Sequence, residues 1–229
     1  MNPGSRLLAA AALLLGTGCA SQPLAAPWNH ASATYSGAVP CLDCPGIRLT
    51  VTLFPSGLAL LHGIPAGRGR SEPAAELGSW AQPDDQRVAI RGNTGTSYEF
   101  TQGAAGTLRL LRVNGRAIDS GTAPDFTREP RPLNDSVAVT GLYAAAAGEA
   151  GSVTECSSGK TLPVAQRGQY LALRSAYLER AARAGETMLA ALEARLVEEF
   201  VVGTDRLREV FVVTRVERLT AGGRCETAR

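Results

Sequence analysis

Five cysteines carry the reactive chemistry that this sequence offers, and their spacing divides them into three groups. Cys19 ends an apolar leader, Cys41 and Cys44 form a Cys-Leu-Asp-Cys motif, and Cys156 and Cys225 lie far down the chain. A cysteine can carry a lipid, form a disulfide or bind a soft metal as a thiolate. The compartment decides among these, because disulfides persist where the surroundings are oxidising. The leader must therefore be interpreted first.

The leader predicts export and a lipid anchor on Cys19. Its apolar run, Leu7 to Leu15, would span about 14 Å as a helix, under half of a ~30 Å hydrocarbon core, which is typical of a secretory signal. Gly16-Thr17-Gly18 leads directly into Cys19, as in the bacterial lipobox, where the cysteine becomes the new N-terminus and carries acyl chains such as palmitate. Gly16 stands where that motif usually has leucine, and an ordinary signal peptide is the alternative.

We therefore expect a signal peptide at 1–18 and a lipidated tether at 19–33, a segment rich in Ala, Pro and Ser. Several acyl chains on Cys19 would anchor the protein stably to a membrane, whereas one chain binds only marginally. Ala20 and Ser21 follow without an aspartate, which fits sorting to the outer membrane, facing the periplasm. The other cysteines would then meet an oxidising space.

Composition disfavours several classes of protein. The chain has 229 residues, 45% of them hydrophobic and 19% charged, as in an ordinary globular protein. Its formal charge of +2 falls by one when Arg6 leaves with the leader, and no basic patch is present, so nucleic acid is not an expected partner. With two histidines and 5% aromatic residues, a haem or catalytic site is disfavoured.

Residues 34–127 have the pattern of a small all-β domain. Arg48 to Phe54 alternates polar and apolar residues, a Pro-Ser-Gly turn follows, and Leu58 to Ile64 returns, which predicts a hairpin. Asn114-Gly115 predicts a second tight turn. Further strands are predicted at 76–81, 86–91, 97–101 and 107–113. Many short strands with frequent turns predict a barrel or a sandwich.

A linker rich in proline and charge, 128–136, precedes a second domain at 137–229. Strands are predicted there at 137–143, 151–156, 188–202 and 208–216, with a helix at 169–184. Leu189 to Arg195 also has high helix propensity, so a helix is the alternative for that segment. The residues of the 169–184 helix expected to face the core are Leu171, Ala172, Ser175, Ala176 and Leu178.

The Cys41–Cys44 motif allows several interpretations. A redox-active pair needs a helix N-terminus to lower the pKa of one thiol, and this motif leads into a strand instead. Two reduced thiolates would hold Cu(I), although the chain has only two Met and two His as further ligands. We favour a local disulfide, with free thiols as the remaining alternative. Because so short a loop gains little chain entropy, its role would be redox sensing more than stability.

Cys156 and Cys225 are expected to pair with each other, because both lie in the second domain and the cysteines other than Cys19 are even in number. A loop of about 70 residues gives roughly 4 kcal/mol in the chain-entropy model. The bond would pin the C-terminal tail to the second strand of that domain.

Residue patterns for catalysis are weak, and we expect the protein not to be an enzyme. His62 has no adequate Ser or Asp partner by motif, so a structural histidine is expected. Ser157 to Thr161 imitates the end of a phosphate-binding loop, but Thr154 stands where that loop needs glycine. The adjacent carboxylates Glu198 and Glu199 would point to opposite faces of a strand as surface charges.

Two sets of residues resemble one known family, the NlpE-type lipoproteins, which serve copper homeostasis and envelope stress in Gram-negative bacteria. The N-terminal resemblance rests on the family spacing of Tyr35, Gly37, Pro40, Cys41, Asp43, Cys44, Gly46 and Ile47, and on Gly78-Ser79-Trp80. The C-terminal resemblance rests on Thr154 to Lys160, Leu162 to Ala165, the Tyr170 to Tyr177 helix and the final cysteine.

The resemblance implies a mainly β fold, with a lipocalin-like N-terminal β-barrel and a C-terminal OB-like β-barrel that carries one helix. It implies an outer-membrane lipoprotein that senses surface contact, copper, lipoprotein-trafficking or disulfide faults. Such a protein signals to the periplasmic domain of a Cpx-type sensor histidine kinase. The Cys156–Cys225 bond would make that signalling sensitive to failed oxidative folding.

The alternative function is a copper- or lipid-binding lipocalin-like lipoprotein, with copper at Cys41 and Cys44 or a lipid in the barrel. No other cofactor is expected. An open, apolar barrel mouth would favour ligand binding, and a filled interior would favour a signalling surface.

Overall fold

The computed structural model describes residues 31–41, 45–67, 74–146, 148–181, 183 and 185–225. The predicted signal peptide, Cys19, the tether up to residue 30 and Cys44 lie outside these residues. Within the described ranges, no helix has the length and apolar character that a membrane crossing needs.

The first domain is an antiparallel sheet that closes on itself. Its strands are β1 (Ala33–Val39), β2 (Ile47–Leu53), β3 (Leu58–Pro65), β4 (Ala74–Ala81), β5 (Arg87–Gly92), β6 (Ser97–Gln102), β7 (Leu108–Val113), β8 (Arg116–Ala117) and β9 (Asp125–Glu129). They lie in the order β6-β5-β4-β3-β2-β1-β9-β7-β8, and β6 also pairs with β7. Eight strands therefore form a ring, with the short β8 attached to β7, and ring closure removes the free strand edges of an open sheet.

Large side chains fill the ring. Tyr35, Phe100 and Phe126 are at most 1% exposed, and the rings of Phe100 and Phe126 meet edge to face with centroids 4.9 Å apart. Gly37 makes room for this packing, because a Cβ at that position would lie 2.4 Å from the Phe126 ring. Packed side chains, rather than an open cavity, therefore occupy the part of the barrel interior that the structure describes.

The second domain is a five-stranded sheet with a helix. Its elements are β10 (Val137–Ala144), β11 (Ser152–Glu155), β12 (Thr161–Pro163), α1 (Tyr170–Leu178), β13 (Met188–Phe200) and β14 (Leu207–Ala221). The strand order is β12-β11-β10-β13-β14, and a parallel bridge between Val164 and Phe211 brings the two edges together. A five-stranded, partly open barrel with one helix is an OB-like arrangement. The expected fold class is confirmed.

Helix α1 is shorter than the predicted 169–184, and of the five residues predicted to face the core only Ala176 packs against it. Tyr170, Leu173 and Tyr177 are buried, whereas Leu171 and Leu178 are 74% and 59% exposed. The tyrosines take core positions because their hydroxyls can reach partners as their rings are buried. The Tyr177 hydroxyl donates to the carbonyl oxygen of Glu186 at 2.8 Å.

Candidate functional site: the seam between the two barrels

Three of the predicted site cysteines lie in the described part of the chain. Cys156 and Cys225 form a disulfide with a Cα–Cα distance of 5.2 Å and a sequence separation of 69. Cys156 directly follows β11, and Cys225 lies in the tail beyond β14. The bond therefore ties the C-terminal tail to the end of β11 in the second barrel.

Cys41 lies just beyond β1 and is itself disulfide-bonded. Its sulfur would have to be reduced before it could bind Cu(I) as a thiolate. Among the described residues, no group of three or more His, Cys, Asp or Glu is placed to hold a metal ion. The predicted pairing with Cys44 and the copper hypothesis both involve a residue outside the described ranges, so both stay predictions.

One hydrophobic core crosses the boundary between the barrels. Phe54, Leu58, Leu60 and Leu77 of the first domain belong to the same buried cluster as the inward residues of β10 and β13. Their neighbours Ala59 and Leu61 belong instead to the core inside the first ring. Because successive side chains of a strand point to opposite faces, β3 is buried on both faces. We call the interdomain contact on its outer face the seam.

The first polar contact of the seam lies beside the disulfide. The Glu155 side chain, on a residue only 2% exposed, accepts hydrogen bonds from the backbone N–H groups of Ser157 and Ser158 at 3.0 and 2.7 Å. From the first barrel, the side-chain N–H of Asn93 donates to Glu155 at 3.3 Å, and the Ser157 hydroxyl donates to the side-chain oxygen Oδ1 of Asn93 at 2.7 Å. Glu155 therefore lies next to Cys156 in the sequence and is hydrogen-bonded directly to the other domain.

The second polar contact uses two glutamates of the β13–β14 hairpin. Glu198 and Glu209 are direct cross-strand neighbours, so their side chains share one face. Glu198 accepts from the N–H and hydroxyl of Ser32 at 2.9 and 2.6 Å. Glu209, 9% exposed, accepts from the N–H of Ser56 at 2.7 Å and from the Ser56 hydroxyl.

Burial governs the ionisation of Glu209. Desolvation raises the pKa of its carboxyl, the hydrogen bonds from Ser56 oppose this, the nearby Glu198 charge raises the pKa further, and Lys160 lowers it. The net direction is upward, because water lost around a carboxylate penalises the charged form. The second polar contact therefore contains a carboxyl group whose ionisation is opposed by burial.

The Gly78-Ser79-Trp80 motif shapes the turn that carries Ser56. The indole N–H of Trp80 donates to the carbonyl oxygen of Phe54 at 2.7 Å. The backbone N–H of Trp80 donates to the carbonyl oxygen of Gly57 at 2.8 Å. Gly78 is needed for the close approach of β5, since a Cβ there would lie 2.4 Å from the Arg91 carbonyl oxygen. The motif therefore acts structurally, by holding the β2–β3 turn against the second domain.

His62, Glu198 and Glu199 have partners that no local motif reveals. His62 Nδ1 lies 3.2 Å from Asp135 Oδ1, which ties β3 to the linker between the domains. Glu198 and Glu199 do point to opposite faces, with Glu199 accepting from Arg167 and Arg208 at 2.5 and 2.8 Å. Glu198, however, is a seam residue and not a plain surface charge.

Sequence reasoning missed the seam, although one signal for it was present. The run Leu58-Ala59-Leu60-Leu61 is apolar without alternation. A strand of that kind is buried on both faces, as in sheets covered on both sides. The run therefore indicates that something packs against the outside of the first barrel.

A closed antiparallel barrel that shares a core with a disulfide-bonded OB barrel defines a two-domain β protein. Family profiles match both parts of it: the NlpE N-terminal domain over residues 35–121, and the NlpE C-terminal OB domain over 133–226. Together the matches cover both barrels, and the chain belongs to the NlpE family. The expected resemblance is confirmed.

One curated relative has the same family name. Lipoprotein NlpE of Escherichia coli (strain K12) is 30% identical over 152 residues, which are 62% of this chain and 61% of the relative. The chain thus matches about three fifths of the length of that relative. The crystal structure of the Cpx pathway activator NlpE from Escherichia coli is 22% identical, covers 84% of this chain and 97% of its own, and superposes with a TM-score of 0.38.

Proposed function

We propose that this protein is a non-enzymatic envelope lipoprotein that activates a Cpx-type stress response by contacting the periplasmic domain of a sensor histidine kinase. The names of its relatives, a lipoprotein and a Cpx pathway activator, support this function. The filled first barrel supports a protein-binding surface over a ligand cavity. The signal peptide at 1–18, the acylated Cys19 and an outer-membrane location facing the periplasm belong to the proposal.

Relocation is the proposed switch. While it is lipidated, trafficked and oxidised, the protein stays at the outer membrane, away from the kinase. When trafficking or disulfide formation fails, it lingers near the inner membrane, where its N-terminal domain reaches the kinase.

The observation that carries this proposal is the position of the Cys156–Cys225 bond beside Glu155. The bond fixes the turn whose N–H groups hold the Glu155 carboxylate, and that carboxylate meets Asn93 of the first barrel. Without the bond, the tail is released and the buried carboxylate loses well-placed partners, which is costly for a charge out of water. The second domain then loosens its hold on the first.

The test uses a transcriptional reporter of the Cpx response in cells that carry defined variants. Cys156→Ser/Cys225→Ser is expected to raise the reporter signal, and Asn93→Ala, which leaves every cysteine in place, is expected to raise it partially. Thr94→Ala is the matched control, because among the described residues the Thr94 hydroxyl contacts only Thr96, at 3.4 Å.

Two outcomes contradict the proposal separately. An unchanged reporter with the double serine variant, at normal protein levels, removes the redox role. A response that persists after the kinase is deleted removes the proposed partner.

A further inference from the structure

The β13–β14 hairpin extends past the rest of its sheet. Strand β10 pairs with β13 only over Met188–Ala194, whereas β13 and β14 stay paired as far as Phe200 and Leu207. The six remaining residues of β13 add about 20 Å at roughly 3.3 Å per residue. We call residues 200–207, at the end of this ribbon, the hairpin tip.

The hairpin tip exposes large apolar side chains. Val202 is 98% exposed, Phe200 70% and Leu207 36%. Phe200 and Leu207 are direct cross-strand partners, so they present one face, and Arg206 and Asp205 in the same turn offset each other in charge. Scattered apolar residues on a surface are ordinary, but a cluster marks a contact site.

The chain coming from the predicted anchor enters the fold beside this tip. Ser32 binds Glu198 through its N–H and hydroxyl, and Glu198 lies two residues before Phe200, about 7 Å away on the same face of β13. Even fully extended, the segment from Cys19 to Ser32 spans at most about 45 Å. The tip therefore stays within tether reach of any bilayer that holds an acylated Cys19.

Cationic side chains surround the same entry point. Arg128 and Arg131 are exposed and line a cavity of about 340 Å³ together with Ser32 and Thr34. Arg48 is 70% exposed, and its ion-pair partner Glu129 is 3.9 Å away. Exposed arginines attract the phosphate groups of lipids, and apolar side chains beside them suit the interfacial layer of a bilayer.

We propose that the hairpin tip inserts into the interfacial layer of the bilayer that carries the acylated Cys19, with Arg128 and Arg131 against its headgroups. This second contact fixes how both barrels stand on the membrane. The inference rests on the lipid anchor of the proposed function. The entry of the tether beside the tip favours the bilayer over a second copy of the chain or a partner protein.

The test reconstitutes the acylated chain, which begins at Cys19, into vesicles of phosphatidylethanolamine and phosphatidylglycerol, with or without brominated acyl chains. Val202→Trp places a fluorescent reporter at the tip. Leu171→Trp is the matched control, 74% exposed on α1. The control position lies far from the tip. Gln169, just before α1, donates its backbone N–H to the Val213 carbonyl oxygen, and Val213 lies about 20 Å along β14 from Leu207. The emission of the two native tryptophans is measured in the wild-type chain and subtracted from that of each variant.

We expect brominated lipid to quench the added emission of Val202→Trp to below about half, as for a ring buried 5–10 Å into the headgroup boundary, and to leave Leu171→Trp unchanged. Equal quenching at the two positions, or none at either, overturns the inference. Flotation of the wild-type chain with the vesicles, lost in a Cys19→Ser chain expressed without residues 1–18, tests the anchor by itself. A wild-type chain that does not float overturns the anchor and the inference together.

Hydrogen exchange of the peptide 198–208 checks the result without any substitution at the tip. Slower exchange in the vesicle-bound acylated chain than in soluble Cys19→Ser supports insertion. Protection that instead appears without lipid as the protein concentration is raised identifies a second copy as the occupant and overturns the inference.

Discussion

The two barrels are closed by different means. Hydrogen-bonded ladders run around the whole first ring, because β6–β7 and β1–β9 pairings complete it. The second barrel brings its edges together through one parallel bridge between Val164 and Phe211, and its tail is held by the Cys156–Cys225 bond. A ladder-closed ring does not depend on oxidants, whereas a covalently held tail does. Closure of the first ring therefore needs no disulfide, whereas the tail of the second barrel is held by one.

The seam is the contact through which the two barrels share a hydrophobic core. The outer leucines of β3 are buried only because the second domain covers them, so a loosened second barrel exposes apolar surface on a first barrel that is still folded. Loss of the Cys156–Cys225 disulfide would therefore change the exposed surface of the N-terminal domain. Variants within each barrel and variants at the seam measure separately how closure of a barrel and contact between the barrels contribute to stability.

The largest difference between the two domains is expected when their disulfides are removed. Cys156→Ser/Cys225→Ser is expected to lower the free energy of unfolding of the second domain by about 4 kcal/mol, against about 2 kcal/mol for the short loop of Cys41→Ser/Cys44→Ser. Denaturant unfolding under non-reducing conditions, with hydrogen exchange to assign each domain, measures both. Equal losses in the two double variants would remove the contrast between the cysteine pairs.

The stability of the first barrel is expected to depend on the packing of its interior. Gly37→Val forces a side chain against Phe126 and should cost about 1–3 kcal/mol as an overpacked core. Ala38→Val, at an exposed position on the same strand, is the control and should change little. Thermal unfolding with both disulfides intact compares them, and a Gly37→Val chain as stable as wild type contradicts the packing described here.

Contact between the barrels is expected to be weaker than either closure. Asn93→Ala removes both hydrogen bonds to the Glu155 turn and should cost about 1 kcal/mol. A double-mutant cycle with Glu155→Gln measures the coupling between the two side chains, expected at about 0.5–1 kcal/mol. Strictly additive effects would mean that Asn93 and Glu155 do not act on each other.

The smallest effect is expected in the pH dependence of the seam. Because burial raises the pKa of Glu209, its contribution to stability is fully present below the ordinary glutamate pKa and is lost as the pH rises through the raised value. Glu209→Gln should therefore flatten the stability–pH curve in that window and change stability at pH 7.5 by less than about 1 kcal/mol. Glu217→Gln, exposed on the same strand, should leave the slope unchanged, and a Glu209→Gln curve with the wild-type slope contradicts this assignment.

Elements fixed by local signals could be predicted from the sequence. The Arg48 to Ile64 hairpin forms as β2 and β3, and Asn114 and Gly115 have the positive φ angles, 49° and 76°, that a tight hairpin turn requires. In β13 the buried positions alternate from Met188 to Leu196. That period of two prevails over the high helix propensity of the segment, because cross-strand packing outweighs propensity.

The seam could not be predicted in the same way, because its partners are distant in the chain. Asn93 and Glu155 are 62 positions apart, and Ser56 and Glu209 are 153 apart. The face of α1 was wrong for a related reason: Tyr170 and Tyr177 are amphipathic, and only their partners in the folded protein decide that they displace Leu171 and Leu178 from the core.

Hydrogen exchange of the full chain, compared between wild type and Cys156→Ser/Cys225→Ser in non-reducing buffer, most directly tests whether the disulfide is sensed across the seam. We expect faster exchange at the Asn93 N–H, which donates to the Leu77 carbonyl oxygen at 3.0 Å, with unchanged protection in β7. Faster exchange confined to residues 137–225 would contradict transmission through Glu155 and Asn93.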